Sequence, residues 1–311
     1  MISDIVIIHH EGCSDGICAA MILRNFFLTL DGNRNINCIP AKYGDIPPAP
    51  AVLGNKHVYI VDFSYPREDL VEINKVARTL VVLDHHKSAK ANCEGLPFAF
   101  FDESRCGAEL AFAYVSTRKT MGGYDLDIQF DLGKVDLPGK APLIVQYVAD
   151  RDLWKWELHF SHEINAWLAS FPRDVEVWTR LLVDMEHDLS NVADEGRAIL
   201  RYERKLTARI AARAVQCHFS MPMPRYRYRP FTVMAVNAPI LQSEVCELLL
   251  ESSGCDIACA WFMDGKGGVV HSIRSRAQGP DVSEVAQMYG GGGHEHAAGF
   301  TTPAIEVVCL P

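Results

Sequence analysis

Three short apolar runs, Ile5 to Ile8, Val58 to Val61 and Leu80 to Leu83, and a helix-like run, Ile144 to Ala149, end in side chains that bind metals. The first leads into His9, His10, Cys13 and Asp15, the second into Asp62, the third into Asp84, His85 and His86, and the fourth into Asp150. Side chains just past the carboxyl ends of neighbouring parallel strands converge on one crevice, so distant segments can build a single site there. Carboxylate and imidazole ligands gathered in this way suit a hard divalent ion, Mn²⁺ or Mg²⁺, better than zinc. The chemistry they favour is metal-dependent attack on phosphate. Any one Asp at a strand end is more often a helix cap or turn residue, so the argument rests on their joint occurrence.

The elements that must carry these residues alternate. Strand periods at Ile5 to Ile8, His57 to Val61 and Thr79 to Leu83 are separated by helical periods at Gly16 to Leu30 and Pro66 to Ala77. That alternation predicts β-α-β units and a parallel sheet. Further helices are predicted at Gly107 to Thr120, Ala141 to Ala149 and Val175 to Met185, with loops at Pro47 to Pro50 and Met121 to Asp125. A basic, Ala-rich helix follows over 191–215, with apolar positions Ile199, Leu206 and Ile210 and a mostly solvated cationic face. From Phe231 onward the pattern turns to strands at Phe231 to Val236, Asp256 to Phe262 and Gly268 to Ile273, with helices at Leu241 to Glu251 and Val282 to Tyr289. The predicted division is residues 1–190, a helical linker over 191–220, and a smaller mixed α/β domain over 221–311.

At 311 residues the chain is comfortable for two domains, each able to bury its own core. Hydrophobic residues at 49% and charged residues at 22% exclude a disordered chain. The first residues lack a basic n-region, and no apolar stretch approaches the roughly 18 residues of a membrane span, which predicts a cytoplasmic protein without a membrane partner. Ten cysteines without paired spacing read as reduced thiols, with Cys255 and Cys259 in the core. Trp154 and Trp156 read as core packing, with stacking on a base as the alternative. A net charge of −9 argues against a broad footprint on duplex DNA. A short anionic substrate is compatible with it, because metal ions and a few local cations can invert the field inside one cleft.

Together these segments resemble a known family. His9 to Asp15, Val61-Asp62 and Leu83 to His86 stand in the order and rough spacing of the first three motifs of the DHH phosphoesterases, and Val148 to Asp150 is similar to the fourth. Asp281 to Phe300, with its glycine run, resembles the signature of the DHH-associated C-terminal domain. The resemblance implies an α/β catalytic domain with two Mn²⁺ ions, Mg²⁺ or Co²⁺ being the alternatives. It assigns the bridge to Asp62, the first ion to His9 or His10 and to Cys13, and the second to Asp15, His85 and Asp150. Asp152 is an alternative to Asp150, and the motif-one histidine leans towards His10. His86 would face the substrate phosphate, and Asp84 would fix an imidazole tautomer, so both count as catalytic. Cys13 stands where many members carry Asp, and it either ligates a softer ion, leaves the first site weak or does not ligate.

In the second domain the resemblance implies substrate binding by Arg274 and Ser275 and by Gly291, Gly292, Gly293 and His294. A run of glycines is costly in conformational entropy unless backbone must approach something closely. The implied activity is a manganese-dependent phosphodiesterase acting on short oligonucleotides or small cyclic or linear nucleotides, in a chain that could form a homodimer. A polyphosphatase or nucleotide phosphatase is the alternative within the family, and a non-hydrolytic nucleotide sensor the alternative outside it.

Overall fold

The computed structural model describes residues 5–30, 32, 35–120, 126, 140–219 and 231–303. The chain divides into two compact units, Met1–Leu200 and Arg201–Pro311. The first unit runs β1 (Ile5–His10), α1 (Ser14–Leu30), β2 (Ile36–Ala41), α2 (Pro50–Leu53), β3 (His57–Val61), α3 (Arg67–Val76) and β4 (Thr79–Asp84). A 3₁₀ turn (Lys87–Ala89), α4 (Lys90–Cys93), β5 (Ala99–Phe101), α5 (Gly107–Thr120), α6 (Leu143–Asp152), α7 (Ser161–Ala169), α8 (Val175–His187) and α9 (Leu189–Ala211) follow. The boundary between the units falls within α9.

All five strands of the first sheet are parallel, in the order β2-β1-β3-β4-β5. Helices cover both faces, which explains why the strands read as unbroken apolar runs. Ile5, Ile7, Tyr59, Val61, Val81 and Leu83 pack on one side with α1, α5 and α6. Val6, Ile8, Val58, Ile60, Leu80 and Val82 pack on the other with Leu53 of α2 and Leu70 and Ile73 of α3. The strand order reverses between β1 and β3, and a doubly wound sheet opens its crevice at such a point.

The second unit contains β6 (Val215–Phe219), β7 (Phe231–Asn237), α10 (Gln242–Ser253), β8 (Ile257–Met263), β9 (Gly268–Ser275), α11 (Val282–Met288), β10 (Gly292–His294) and β11 (Ala297–Pro303). Its sheet is ordered β10-β11-β9-β8-β7-β6 and is antiparallel except for the β7–β8 pair. Helix α10 packs Val245, Cys246 and Leu249 on one face, and α11 packs Val282, Val285 and Ala286 on the other. The chain is therefore α/β, with a parallel-sheet unit followed by a smaller mixed unit.

The structure corrects three expectations. Strands β2, β5, β6, β10 and β11 were not anticipated, because β2 and β10 are sheet edges and β11 is rich in small residues, so none shows a clean apolar period. The run Pro47 to Pro50 is loop only as far as its last residue, where Pro50 opens α2. The predicted loop Met121 to Asp125 lies outside the described residues. Trp154 and Trp156 lie half-buried on the loop between α6 and α7, and the indoles that fill the core are Trp167 and Trp178.

Candidate metal centre

Strand parity decides which histidine of β1 reaches the site. Successive strand residues face opposite sides of the sheet, so His10 continues the Val6, Ile8 face, which is also the face of Leu80, Val82 and Asp84. The chain then leaves β1 and starts α1. Cys13 occupies the capping position of that helix, its sulfur accepting from the Gly16 N–H at 3.0 Å. Asp15 lies in the first turn and is buried, and it accepts from the backbone N–H groups of Gly107 at 2.5 Å and Ala108 at 2.8 Å, at the start of α5. Asp62 follows β3 with φ 59°, a left-handed conformation that an Asp tolerates better than most residues. Its own N–H donates to Leu83 O at 2.9 Å, which holds that turn against β4.

The two carboxylate oxygens of Asp62 face different partners. Oδ2 accepts from the Cys13 thiol at 2.9 Å and lies 3.6 Å from His10 Nδ1. Oδ1 lies 3.0 Å from His85 Nε2. That same imidazole nitrogen lies 3.5 Å from Asp15 Oδ2 and 3.6 Å from Asp152 Oδ2. Within each of the sets His10, Cys13, Asp62 and Asp15, Asp62, His85 the ligand atoms lie within 4.8 Å of one another. One nitrogen carries at most one proton, so it cannot satisfy three carboxylates, and the buried Asp152 Oδ2 accepts no hydrogen bond among the described residues. A divalent cation in each set removes that imbalance. The donor atoms are oxygens and imidazole nitrogens with one sulfur, so Mn²⁺ or Mg²⁺ fits both sets, with a softer character at the Cys13 side.

The charges reflect the same crowding. Burial, then the neighbouring Asp62 and Asp152, raise the Asp15 carboxyl well above its ordinary range. Burial would also raise Asp62, but its hydrogen bonds to His10 and His85 reverse that and hold it well below. Burial would lower His85, yet the bond to Asp62 and the charges of Asp152, Asp62 and Asp15 push it up to about 10. His10 is likewise raised, against burial, by Asp62. The Cys13 thiol is raised by burial and by Asp62 and Asp15. The His85 imidazolium and the Cys13 thiol therefore hold protons at neutral pH that a bound metal must displace, and affinity for Mn²⁺ is expected to rise with pH between 6 and 8. Each displaced proton is worth about tenfold per pH unit. Calorimetric titration in buffers of different ionisation enthalpy reads the released protons, and a pH-independent affinity would contradict this account.

Not every expected residue joins the cluster. His9 is buried on the other face of β1, where its Nδ1 lies 3.1 Å from His10 O and burial lowers its pKa. Asp150 also lies apart from the cluster. Its carboxylate is taken up by the Glu157 N–H at 3.0 Å, the Leu158 N–H at 3.3 Å and the Ser161 hydroxyl at 2.5 Å, so it staples the α6–α7 loop while Asp152 reaches His85. Asp84 Oδ1 accepts from the backbone N–H groups of His85 and His86 at 2.7 and 3.1 Å and lies 2.9 Å from His86 Nδ1. The half-buried Tyr43 meets the rings of His10 and His86 at 5.7 and 5.8 Å. Neither Tyr43 nor Gly107 was singled out in the sequence, although Cys106-Gly107-Ala108 opening a helix was a readable signal.

In the second unit, Ser275 is buried, its hydroxyl donating to Pro280 O at 2.6 Å beside His296 Nδ1 at 3.0 Å. Arg274 Nη2 donates to Ser243 Oγ at 2.8 Å. The glycine run is not an open loop: Gly292 and Gly293 pair with Gly299 and Ala298, and His294 with Ala297. A Cβ at Gly291 would lie 2.1 Å from Gly299 O, and one at Gly293 would lie 2.5 Å from Ala297 O. The Gly290 and Gly291 N–H groups are spent on Gln287 O and Ala286 O. The close approach that these glycines permit is therefore to β11 and α11.

Comparison with known proteins gives a consistent picture. Residues 4–132 match the model of the DHH family, N-terminal domain. The chain is 26% identical over 318 residues to uncharacterized protein R106 of Acanthamoeba polyphaga mimivirus, covering 98% of this chain and 69% of that protein. Two solved structures share the fold. RecJ in complex with Mn²⁺ from Thermus thermophilus is similar with a TM-score of 0.55 and 16% identity, over 97% of this chain and 50% of RecJ. An exopolyphosphatase-related protein from Bacteroides fragilis gives a TM-score of 0.51 and 15% identity, over 98% and 90% of the two chains. No helix among the described residues is long and apolar enough to cross a membrane.

Proposed function

Because residues 4–132 belong to the DHH family as its N-terminal domain, we propose that the chain is a metal-dependent phosphodiesterase. Its preferred ion is Mn²⁺, and its substrates are short oligonucleotides or small cyclic or linear nucleotides. The observation that carries this reading is the division of Asp62, one oxygen towards Cys13 and His10 and the other towards His85. His10, Cys13 and Asp62 would hold one ion, and Asp15, Asp62, His85 and Asp152 the other. When bound, the ions would supply a nucleophile from water at neutral pH and neutralise charge on the phosphate oxygens.

The remaining work falls to the chain itself. Asp84 orients the His86 ring through Nδ1, and His86 would face the substrate phosphate. The α5 N-terminus holds Asp15 in place with two N–H donors. Arg274 and His294 are the second unit's groups for holding substrate, with Ser275 and the Gly291, Gly292, Gly293 run shaping the backbone that carries them. The net charge of −9 favours short substrates over long nucleic acid.

The test is a panel of dinucleotides, cyclic dinucleotides, polyphosphate and p-nitrophenyl esters with added Mn²⁺. Release of nucleoside monophosphate that stops on chelation is the expected result. Release of inorganic phosphate alone would turn the reading to a phosphatase. Mn²⁺ binding with no hydrolysis of any substrate would leave a nucleotide sensor.

A further inference from the structure

The first unit carries a cavity of about 450 Å³ at the carboxyl end of β2, lined by Ile39 to Ala41 of that strand, Gly44 to Ile46 and Pro48 of the loop that follows, and Tyr65 beyond β3. Strand register fixes its place. Ala41 pairs with His10, and the Glu11 N–H donates to Ala41 O at 2.8 Å, so the cavity begins one strand spacing, about 4.8 Å, from a proposed metal ligand. The pairs Ile8–Ile39 and His10–Ala41 put Ile39 and Ala41 on the His10 face of the sheet. Aromatic rings continue the wall towards the metal centre. Tyr65 meets the Phe63 ring at 4.7 Å, and Phe63 lies nearly parallel to the His10 ring at 6.4 Å. Tyr43, from the same loop, lies 5.8 Å from Phe63 and 5.7 Å from His10.

The loop is shaped by its own hydrogen bonds. Asp45 Oδ2 accepts from the Lys42 N–H at 2.9 Å, the Asp45 N–H donates to Lys42 O at 3.1 Å, and Gly44 takes φ 90°. That turn holds Ile46 90% exposed, the largest exposure of any large apolar side chain among the described residues. The lining selects the occupant. Among the described residues no Lys or Arg lines the cavity and Asp45 is its one charged side chain, so a second phosphate would be repelled. Apolar and aromatic walls with a single acceptor suit a flat, neutral ring that carries N–H groups. We propose that the cavity takes the nucleobase of the nucleotide whose phosphate lies at the metal centre, with Ile46 covering the base and Asp45 accepting from its N–H edge. This assignment rests on the phosphodiesterase reading for the phosphate, and on the cavity for the base.

The experiment compares wild type, Ile46→Ala and Ile46→Asp with Mn²⁺, each checked for folding by thermal denaturation, on a dinucleotide and on the analogue of it that lacks both bases. Ile46→Ala is expected to lower kcat/KM on the dinucleotide about fivefold, the worth of part of one apolar side chain, and to leave the abasic analogue unchanged. Ile46→Asp should cost more on the dinucleotide, since it sets a second carboxylate beside Asp45. Binding is read separately by the fluorescence of 2-aminopurine riboside, titrated without metal, with the same weakening expected in Ile46→Ala. Equal losses on the dinucleotide and its abasic analogue, or unchanged riboside affinity in Ile46→Ala, would overturn the assignment. So would a wild-type dimer that Ile46→Asp makes monomeric with riboside binding unchanged, which would give this face to a second copy of the chain. If wild type hydrolyses neither substrate, the phosphodiesterase reading fails, and the riboside titration alone decides for or against the cavity.

Discussion

Replacing Asp62 by Asn is expected to reduce phosphodiester hydrolysis by about three orders of magnitude or more, since it removes one negative charge from both proposed ion sites at once. Asn is the informative substitution. Asp62 sits at φ 59°, where an Ala would add backbone strain, whereas Asn accepts the left-handed conformation and keeps the shape of the side chain. The Asp62 N–H bond to Leu83 O should persist, so the thermal midpoint is expected to move little. Electron paramagnetic resonance of Mn²⁺ and metal analysis would count the ions, with fewer than two per chain expected. Activity within about tenfold of wild type with two ions bound would remove Asp62 from the centre.

The second large effect is expected from Gly107→Ala, a change far from any metal-binding motif in sequence. The added Cβ would lie 2.6 Å from Asp62 Cβ, 3.0 Å from Asp62 Cα and 2.9 Å from Asp15 Oδ2. Two of these neighbours belong to a turn tied to β4, so they cannot swing aside as a flexible side-chain end would. Either α5 retreats, loosening its two N–H bonds to Asp15, or both carboxylates shift. Overpacking of this kind costs about 1–3 kcal/mol. A displacement of about 1 Å at reacting groups can cost about 100-fold in rate. The expected result is a lowered thermal midpoint together with weakened Mn²⁺ binding and at least that loss in kcat/KM. Wild-type Mn²⁺ affinity and turnover in the folded variant would show that Gly107 does not set the positions of Asp15 and Asp62.

The amino-acid sequence by itself determined the parallel sheet of the first unit, because strands buried on both faces must be unbroken apolar runs and the helices between them keep a helical period. It also determined where acidic and imidazole side chains emerge, since each follows the end of such a run. The sequence left His9 and His10 open; the strand in the structure puts His10 on the face of Val6 and Ile8, beside Asp62, and His9 on the other. Only the tertiary structure separates Asp150 from Asp152, which lies 3.6 Å from His85. Residues two apart on a helix point away from each other, and which one is spent on a loop depends on Glu157, Leu158 and Ser161, whose N–H and hydroxyl groups fold back from the following segment. The glycine run announced a close approach but not its object, because a missing Cβ records that space is needed and not what fills it; β11 does. Gly107 matters through neighbours brought from elsewhere in the chain, Asp15 and Asp62. Such long-range proximity leaves no period or spacing in a single sequence, so the three-dimensional arrangement alone could supply it.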